Sequence, residues 1–124
     1  MARYLADTTI LVDHLREREK AYNFLKANLP AISQVTLAEL IEGSKSKDNL
    51  RAVNKAVSDL EVIAINENYS NLAINLMQKF FLSHRLEFLD ALIAATAMGE
   101  SLVLMTANTK HFSFIKGLKI EKWM

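Results

Sequence analysis

The sequence predicts an α/β protein, a three-layer α/β/α domain built on a central parallel sheet of about four to five strands. Short apolar runs of strand length recur along the chain, and between them apolar residues repeat every three or four positions, as in amphipathic helices. Strands that alternate with helices form parallel sheets with right-handed crossovers, which place helices on both faces. We expect a single domain over residues 1–124, because this length suits one core.

The predicted strands are short segments, which comprise residues 4–6, 31–33, 62–65 and 102–105, with residues 118–123 as a short edge strand. The run at 62–65 is continuous and rich in β-branched residues, which predicts a strand covered on both faces. The first run ends at Asp7, and helical spacing begins at Ile10, so Asp7 lies where a strand passes into a helix. In open parallel sheets ligands bind at that edge. Asp is also a favoured helix N-cap, which is a simpler explanation.

Caps and breakers predict the helix ends. Pro30 ends the helix before the second strand, and Asn66 begins the long helix after the third. Thr36 and Glu39 have the spacing of a capping box, in which Thr36 caps a helix and Glu39 reaches back to it. The buried face of that helix is predicted to consist of Leu37, Leu40 and Ile41.

Residues 50–60 form another predicted amphipathic helix. Asp90 is the predicted N-cap of a helix that is rich in alanine and that Gly99 ends. The long helix after Asn66 has an apolar stripe that Ile74, Met77 and Leu82 widen beyond one core face. Two interpretations remain open for it, a well-buried helix and a homodimer surface.

Composition excludes several classes of protein. The chain has 51% hydrophobic and 23% charged residues, a net charge of +1 and no cysteine, so disulfide scaffolds and thiolate zinc sites are excluded. Acidic residues interrupt the apolar run near the N-terminus, and no apolar stretch approaches the roughly 18 residues that a membrane span needs. We therefore expect a cytoplasmic protein that does not bind a membrane. Residues 110–122 contain four lysines and one acid, a charge pattern that usually marks only a solvated surface.

Four polar residues carry the functional prediction. Asp7 and Asn108 follow strands directly, while Glu39 and Asp90 lie in the first turns of helices that could point at the same edge of the sheet. Each has a local explanation as a cap, but carboxylates gathered at one edge repel each other and raise each other's pKa. A divalent cation removes that repulsion, and an all-oxygen donor set suits Mg²⁺ or Mn²⁺ rather than Zn²⁺. We therefore predict one pocket that contains these acids and a metal.

The sequence also resembles the PIN-domain ribonucleases and, among them, the VapC toxins of toxin–antitoxin pairs. The resemblance covers essentially the whole chain. The segments that carry it are Leu5-Ala6-Asp7-Thr8-Thr9-Ile10-Leu11, Thr36-Leu37-Ala38-Glu39-Leu40, Leu89-Asp90-Ala91-Leu92-Ile93-Ala94-Ala95-Thr96-Ala97 and Thr106-Ala107-Asn108-Thr109-Lys110-His111-Phe112. It implies a PIN-like fold and a toxic endoribonuclease in which Asp7, Glu39 and Asp90 bind Mg²⁺ or Mn²⁺. Many relatives carry a fourth acid where this chain has Lys110 and His111, so the resemblance leaves open whether one or two ions bind.

The predicted reaction is hydrolysis of an RNA phosphodiester bond by a metal-activated water. Asp7 and Asp90 are the main predicted ligands, and Glu39 binds metal or accepts the proton of the attacking water. Asn108 completes the predicted catalytic set. The predicted substrate-binding residues are Thr8, Thr106, Lys110 and His111. Attack by water leaves 5′-phosphate and 3′-hydroxyl ends.

Two alternatives remain at this point. Pairs of histidines cleave RNA without metal, but the spacing of His14, His84 and His111 brings no two of them together. The other alternative is a catalytically silent PIN-like module with an interaction or regulatory role. The resemblance further implies a homodimer and a VapB-like antitoxin that blocks the acidic pocket with a basic side chain. The RNA is expected to be cut in single-stranded or loop regions, and this chain is not expected to bind DNA directly.

Overall fold

The computed structural model describes residues 2–123, which contain five short strands and six α-helices. The strands are β1 (Tyr4–Ala6), β2 (Ile32–Ser33), β3 (Val62–Ile63), β4 (Val103–Thr106) and β5 (Ile120–Lys122). The helices are α1 (Thr8–Leu15), α2 (Glu19–Asn28), α3 (Gln34–Glu42), α4 (Lys47–Val57), α5 (Glu67–His84) and α6 (Phe88–Gly99), and a 3₁₀ turn spans Thr109–His111. None of the helices in residues 2–123 is both long enough and apolar enough to cross a membrane.

All strand pairings are parallel, as the alternation of strands and helices predicts. β1 pairs with β4 and β4 with β5, while β2 pairs with β3. A parallel bridge between Leu5 and Ala31 joins the two groups, so the strands lie in the order β3-β2-β1-β4-β5. The chain winds outward from β1 to β3 and then returns to the other side of β1. The direction of winding therefore changes between β1 and β4, and ligands bind at this place in open parallel sheets.

The sheet separates two apolar cores, which gives the predicted three layers. Side chains alternate along each strand, so Leu5 and Leu104 face one side while Ala6 and Met105 face the other. The first side is covered by α5 and α6, and the second by α1, α2 and α4. Residues 91–97 of α6 are all buried, because their small side chains let this helix lie close to its neighbours.

Gly99 shows how closely α5 and α6 pack. A Cβ atom at residue 99 would lie 2.2 Å from Cε1 of Tyr69 on α5, so a larger residue would force the two helices apart. The Tyr69 hydroxyl donates a hydrogen bond to Glu100, just beyond α6. This hydrogen bond and burial both raise the pKa of Tyr69 above its ordinary value of 10.0. As predicted, α6 ends at Gly99.

Several local predictions were right and others were wrong. Asn66 caps α5 as expected, by accepting a hydrogen bond from the backbone of Tyr69. The third strand is shorter than predicted, because only Val62 and Ile63 pair with β2. Ala64 and Ile65, the second half of the predicted strand, are exposed. Because β3 lies at the edge of the sheet, this segment is not covered on both faces as predicted. Strand β5, in contrast, is an edge strand as predicted.

The long helix α5 is not fully buried. Tyr69, Ala73 and Leu76 lie in the core, but Ile74 is 47% exposed and Leu82 is 88% exposed. In this single chain, α5 therefore departs from a well-buried helix at Ile74 and Leu82, two of the residues that widen its stripe. Its wide stripe leaves an exposed apolar surface.

Candidate active site at the β1–β4 edge

Asp7 lies between β1 and α1, at the edge where the winding of the sheet changes. Its side chain is 6% exposed, and hydrogen bonds reach both of its oxygens. Oδ1 accepts from the backbone N and the hydroxyl of Thr9, at 2.9 and 2.5 Å. Oδ2 accepts from the hydroxyl of Thr106, at the end of the neighbouring strand β4. Asp7 is therefore the helix cap that its position predicts and is also the link between two adjacent strands.

Glu39 has a different environment from the one its motif predicts. Ser33 caps α3, because its hydroxyl accepts from the backbone N of Thr36, so the prediction of Thr36 as the cap was wrong. Thr36 lies inside the helix with a buried hydroxyl. Glu39 does not reach back to a cap. Its Oε1 accepts a hydrogen bond of 2.7 Å from the hydroxyl of Thr8, the residue after Asp7, and this tertiary contact turns the carboxylate toward the β1 edge.

The predicted buried face of α3 was wrong at Ile41. Leu40 is buried and Leu37 is partly buried, as expected, but Ile41 is 43% exposed. The helix begins three residues earlier than the capping box predicts, and it packs against α1 and α6.

Asp90 lies in the first turn of α6, but it is not the N-cap. The cap position belongs to Glu87, which makes no side-chain capping bond. Asp90 is 32% exposed and contacts Nδ1 of His111 at 3.3 Å. Burial raises the pKa of this carboxyl above its ordinary value of 3.8, and His111 opposes the shift while the charges of Glu87 and Glu39 add to it. The influence of Glu39 shows that these two predicted site acids lie within electrostatic range of each other.

The segment after β4 completes this edge. The hydroxyl of Thr106 accepts from the backbone N of Asn108 at 3.0 Å while it donates to Asp7, so one buried hydroxyl connects the predicted residues of β1 and β4. The Asn108 side chain is exposed. Lys110 and His111 follow in the 3₁₀ turn, and both face a small cleft beside Asp90.

That cleft has a volume of about 200 Å³, and residues from three elements line it. The lining residues are His84, Arg85, Leu86, Glu87, Asp90, Lys110 and His111. The sequence arguments did not select Arg85 or Glu87, and they predicted that no histidines come together. The structure places His84 and His111 on the same cleft. Only the packing of α5 against the segment after β4 brings these two histidines to one cleft. Glu87 could have been found from the sequence, because it precedes Asp90 by three residues, about one helical turn.

The three acids do not form a preformed metal cluster. Among residues 2–123, no three histidine, aspartate or glutamate side chains are grouped so that they could hold one ion. Asp7 is held by threonine hydroxyls, Glu39 by Thr8 and Asp90 by His111, so each carboxylate has its own partner. Mutual repulsion of like charges favours such separation.

The donor chemistry nevertheless fits a hard divalent cation. Asp7, Glu39 and Asp90 offer carboxylate oxygens, which Mg²⁺ and Mn²⁺ prefer. The pKa of Asp90 is raised mainly because burial disfavours the charged carboxylate, and the nearby negative charges of Glu87 and Glu39 add to the shift. A cation between these carboxylates would offset that negative charge.

Comparison with known proteins identifies the family. The model of the PIN domain family matches residues 4–117. The chain belongs to the PIN-domain family. Within it, the chain is 35% identical to Ribonuclease VapC10 of Mycobacterium tuberculosis over 93% of this chain and 90% of that protein. It is also 35% identical to Ribonuclease VapC2 of Rickettsia felis, over 97% of both chains.

A solved structure supports the same assignment. This PIN domain resembles a chain in the crystal structure of VapBC2 from Rickettsia felis bound to a DNA fragment from their promoter, with a TM-score of 0.78. The sequences are 32% identical, and the match covers 98% of both chains. The PIN-like α/β fold is therefore confirmed, and the chain groups with the VapC ribonucleases.

Proposed function

We propose that this PIN domain is the toxic endoribonuclease of a toxin–antitoxin pair and that it hydrolyses RNA phosphodiester bonds at the β1–β4 edge. The main support is the position of Asp7. A buried carboxylate, bonded to Thr106 on the neighbouring strand, lies where the sheet's winding changes, and Glu39 is bonded to the adjacent Thr8. Relatives at 35% identity are named ribonucleases.

In this proposal, Asp7, Glu39 and Asp90 hold Mg²⁺ or Mn²⁺, as one or two ions. When bound, the metal lowers the pKa of a water and neutralises charge on the phosphate. Glu39, half-buried at the start of the acidic edge, also accepts the proton of the attacking water. Asn108 orients the scissile phosphate from its exposed position after β4.

Four other residues serve substrate binding in this proposal. Thr8 and Thr106 do so by positioning Glu39 and Asp7 through their hydroxyls, and Thr106 acts from a fully buried position. Lys110 and His111 line the cleft beside Asp90, where Lys110 supplies positive charge to the RNA backbone and His111 offers ring nitrogens for hydrogen bonds. Single-stranded RNA or loop regions suit a narrow cleft of this kind better than a duplex.

The decisive test uses purified protein, a synthetic single-stranded RNA with a hairpin loop, and Mn²⁺. We expect cleavage that EDTA abolishes, with 5′-phosphate and 3′-hydroxyl ends. Asp90→Asn should lose this activity, while Asp48→Asn, which changes an exposed acid on α4, should retain it. Equal cleavage by wild type and Asp90→Asn would contradict the proposed site. Absence of cleavage by wild type on every RNA tested would favour the silent module.

A metal-free mechanism is the second candidate, because the structure places His84, Lys110 and His111 around one cleft. Two histidines near a lysine can move the proton of the ribose 2′-hydroxyl and stabilise the phosphate. However, the His84 ring stacks on Phe114 and its Nδ1 contacts the Ser83 hydroxyl, which restrains it. Cleavage in EDTA, with cyclic 2′,3′-phosphate ends, would favour this mechanism over the metal-dependent one.

The proposed partners are a VapB-like antitoxin and a second copy of this chain. The structural relative above is VapBC2 bound to DNA, and another relative, 33% identical over 93% of this chain, is a toxin–antitoxin complex from Klebsiella pneumoniae. A groove of about 700 Å³ between α1, α2 and α4, with Tyr22 and Leu29 exposed along it, offers a surface for a protein partner. On α5, exposed Ile74 and Leu82 support a homodimer.

Light scattering tests the homodimer. We expect a dimeric mass for wild type and a shift to monomer for Leu82→Glu, since this residue is 88% exposed and contributes little to the core. Asn54→Glu adds the same charge at an exposed position of α4, outside the α5 surface, and should not change the mass. A monomeric wild type would contradict the dimer.

A further inference from the structure

We propose that Arg85 and Lys110 form a phosphate-binding pair, which holds the RNA backbone next to the bond that is cut. The inference rests on the proposed ribonuclease function and adds Arg85 to the residues that bind substrate. Both side chains line the 200 Å³ cleft that contains Asp90, Arg85 from the end of α5 and Lys110 from the 3₁₀ turn after β4.

Arg85 forms no ion pair with the carboxylates of residues 2–123. Among residues 2–123, the ion pairs are Arg51–Asp48 and His111–Asp90, so Arg85 has no carboxylate partner within 4 Å even though Glu87 and Asp90 line the same cleft. Its guanidinium lies 5.2 Å from the centre of the Phe81 ring. An arginine that stacks on an aromatic ring and remains unpaired keeps its planar donors available for a phosphate.

Lys110, which lines the cleft from the 3₁₀ turn, is also available to bind a phosphate. It is exposed and belongs to none of the ion pairs that residues 2–123 form. The cleft thus presents two unpaired cations and a carboxylate edge side by side. RNA that is to be hydrolysed needs this combination, since the carboxylates require a cation at the scissile phosphate while the neighbouring phosphates require positive side chains.

The backbone around Arg85 is held in a conformation that fits a binding role. Arg85 ends α5 with a φ of 56°, in the left-handed region where glycine or asparagine is usual. The preceding His84 stacks on Phe114 with ring centres 4.0 Å apart and an interplanar angle of 11°, and the following Leu86 is buried. Because both neighbours are fixed by packing, the arginine is presented from a rigid base, as preorganised binding requires.

RNA affinity tests the pair without any dependence on cleavage. The probe is a short fluorescein-labelled single-stranded RNA, whose anisotropy is measured in EDTA over a series of salt concentrations. The variant Arg85→Asn removes the charge but keeps a residue that tolerates the left-handed conformation, so the fold is retained. Lys79→Gln removes the same charge from an exposed position of α5 outside the cleft and serves as the matched control.

We expect Arg85→Asn to bind this RNA about tenfold more weakly than wild type, because a charge-assisted hydrogen bond to phosphate is lost. The slope of log affinity against log salt concentration should become shallower by about 0.7, the value for one contact to a single strand. Arg85→Lys should keep most of the slope. Lys79→Gln should match wild type, and an equal loss in this control would overturn the inference, because it would indicate only a change of net charge.

Kinetics separate this inference from the proposed function. If wild type cleaves RNA, Arg85→Asn should raise KM with little change in kcat, as expected for a substrate contact distant from the reacting atoms. Wild-type KM and RNA affinity in Arg85→Asn would overturn the role of Arg85 and leave the ribonuclease intact. RNA binding that depends on Arg85 without cleavage would support the phosphate pair while contradicting the catalytic proposal.

Discussion

Asp7 and Asp90 lie at the same edge of the sheet but are held in opposite ways. Asp7 is 6% exposed and accepts hydrogen bonds on both oxygens from Thr9 and Thr106. Asp90 is 32% exposed, has one contact of 3.3 Å to His111, and has a raised pKa because it is partly buried near other carboxylates.

The two carboxylates therefore differ in how well the protein stabilises their ionised form. Asp7 is stabilised as a carboxylate by the backbone and hydroxyls that also stabilise α1 and link β1 to β4. At Asp90, burial and the nearby charges of Glu87 and Glu39 disfavour the ionised carboxylate, which lowers the stability of the folded protein at neutral pH. Substitutions that remove the carboxylate charge should therefore change the free energy of unfolding differently at Asp7 and at Asp90.

The largest effect is expected at Asp7. Both Asp7→Asn and Asp7→Ala should reduce RNA cleavage at least about 100-fold, because a proposed metal ligand is lost. Asp7→Ala should also lower the free energy of unfolding by about 0.5–2 kcal/mol more than Asp7→Asn does, since asparagine loses the bond from Thr106 but still caps α1 with its one oxygen, whereas alanine loses both interactions. Cleavage rates and urea denaturation measure the two effects. Equal stability of the two variants would contradict the capping role of Asp7.

The next effect concerns the link between the strands. Thr106→Val should lower the free energy of unfolding by about 1–3 kcal/mol, because a buried Asp7 oxygen loses its donor and the backbone N of Asn108 loses its acceptor. Thr96→Val is the matched control, since that buried hydroxyl contacts only the carbonyl of Leu92 in its own helix. Urea denaturation measures both variants. Equal destabilisation of Thr96→Val would contradict a special role of the Thr106 hydroxyl in linking the strands.

Asp90→Asn should have the opposite effect on stability. Since the folded-state pKa of Asp90 is raised, the native protein binds more protons than the unfolded chain between pH 3.8 and that higher pKa, and the wild type loses stability as pH rises through this window. The urea midpoint of Asp90→Asn should therefore exceed that of wild type at pH 7. The gain should shrink as the pH falls through the window. A variant that is less stable than wild type at pH 7 would refute the contrast.

The smallest effect is expected at Thr8. Thr8→Val removes the hydrogen bond of 2.7 Å to Glu39, a half-buried contact whose loss changes the free energy of unfolding by about 0.5–1.5 kcal/mol at most. Thr8→Ser keeps the hydroxyl and should behave as wild type. If cleavage falls in Thr8→Val and is retained in Thr8→Ser, the hydroxyl positions Glu39. Unchanged cleavage in both variants would show that Glu39 does not depend on it.

Helix caps illustrate how far local sequence can be read. Asn66 and Asp7 cap their helices as predicted, because the capping bond joins residues two or three positions apart and needs no distant partner. The predictions failed at Thr36 and Asp90. A serine three residues before Thr36 starts α3 earlier, and Asp90 lies within the first turn rather than at the cap. Several polar residues near one helix start compete for the cap, and packing decides between them.

The site was predicted in part for the same reason. The order of strands and polar residues indicated Asp7 and Asn108 together, and the family resemblance added Thr106, whose hydroxyl contacts Asp7 and the backbone N of Asn108. The predicted carboxylate cluster is not preformed, and the pairing of Thr8 with Glu39 was not foreseen. Arg85 was also missed, because no local pattern places the end of α5 beside the segment after β4.

The sequence by itself determined the alternation of strands and helices, the parallel sheet, and the acidic residues that follow its strands, since these depend on periodicity and on neighbours a few positions apart. Tertiary structure alone decided which partner each carboxylate has, which face of α5 stays exposed, and which cations line the cleft. The long-range contacts among them join residues from about 20 to about 100 positions apart. Their energies depend on burial and on charges from several elements, which exist only once the chain has folded.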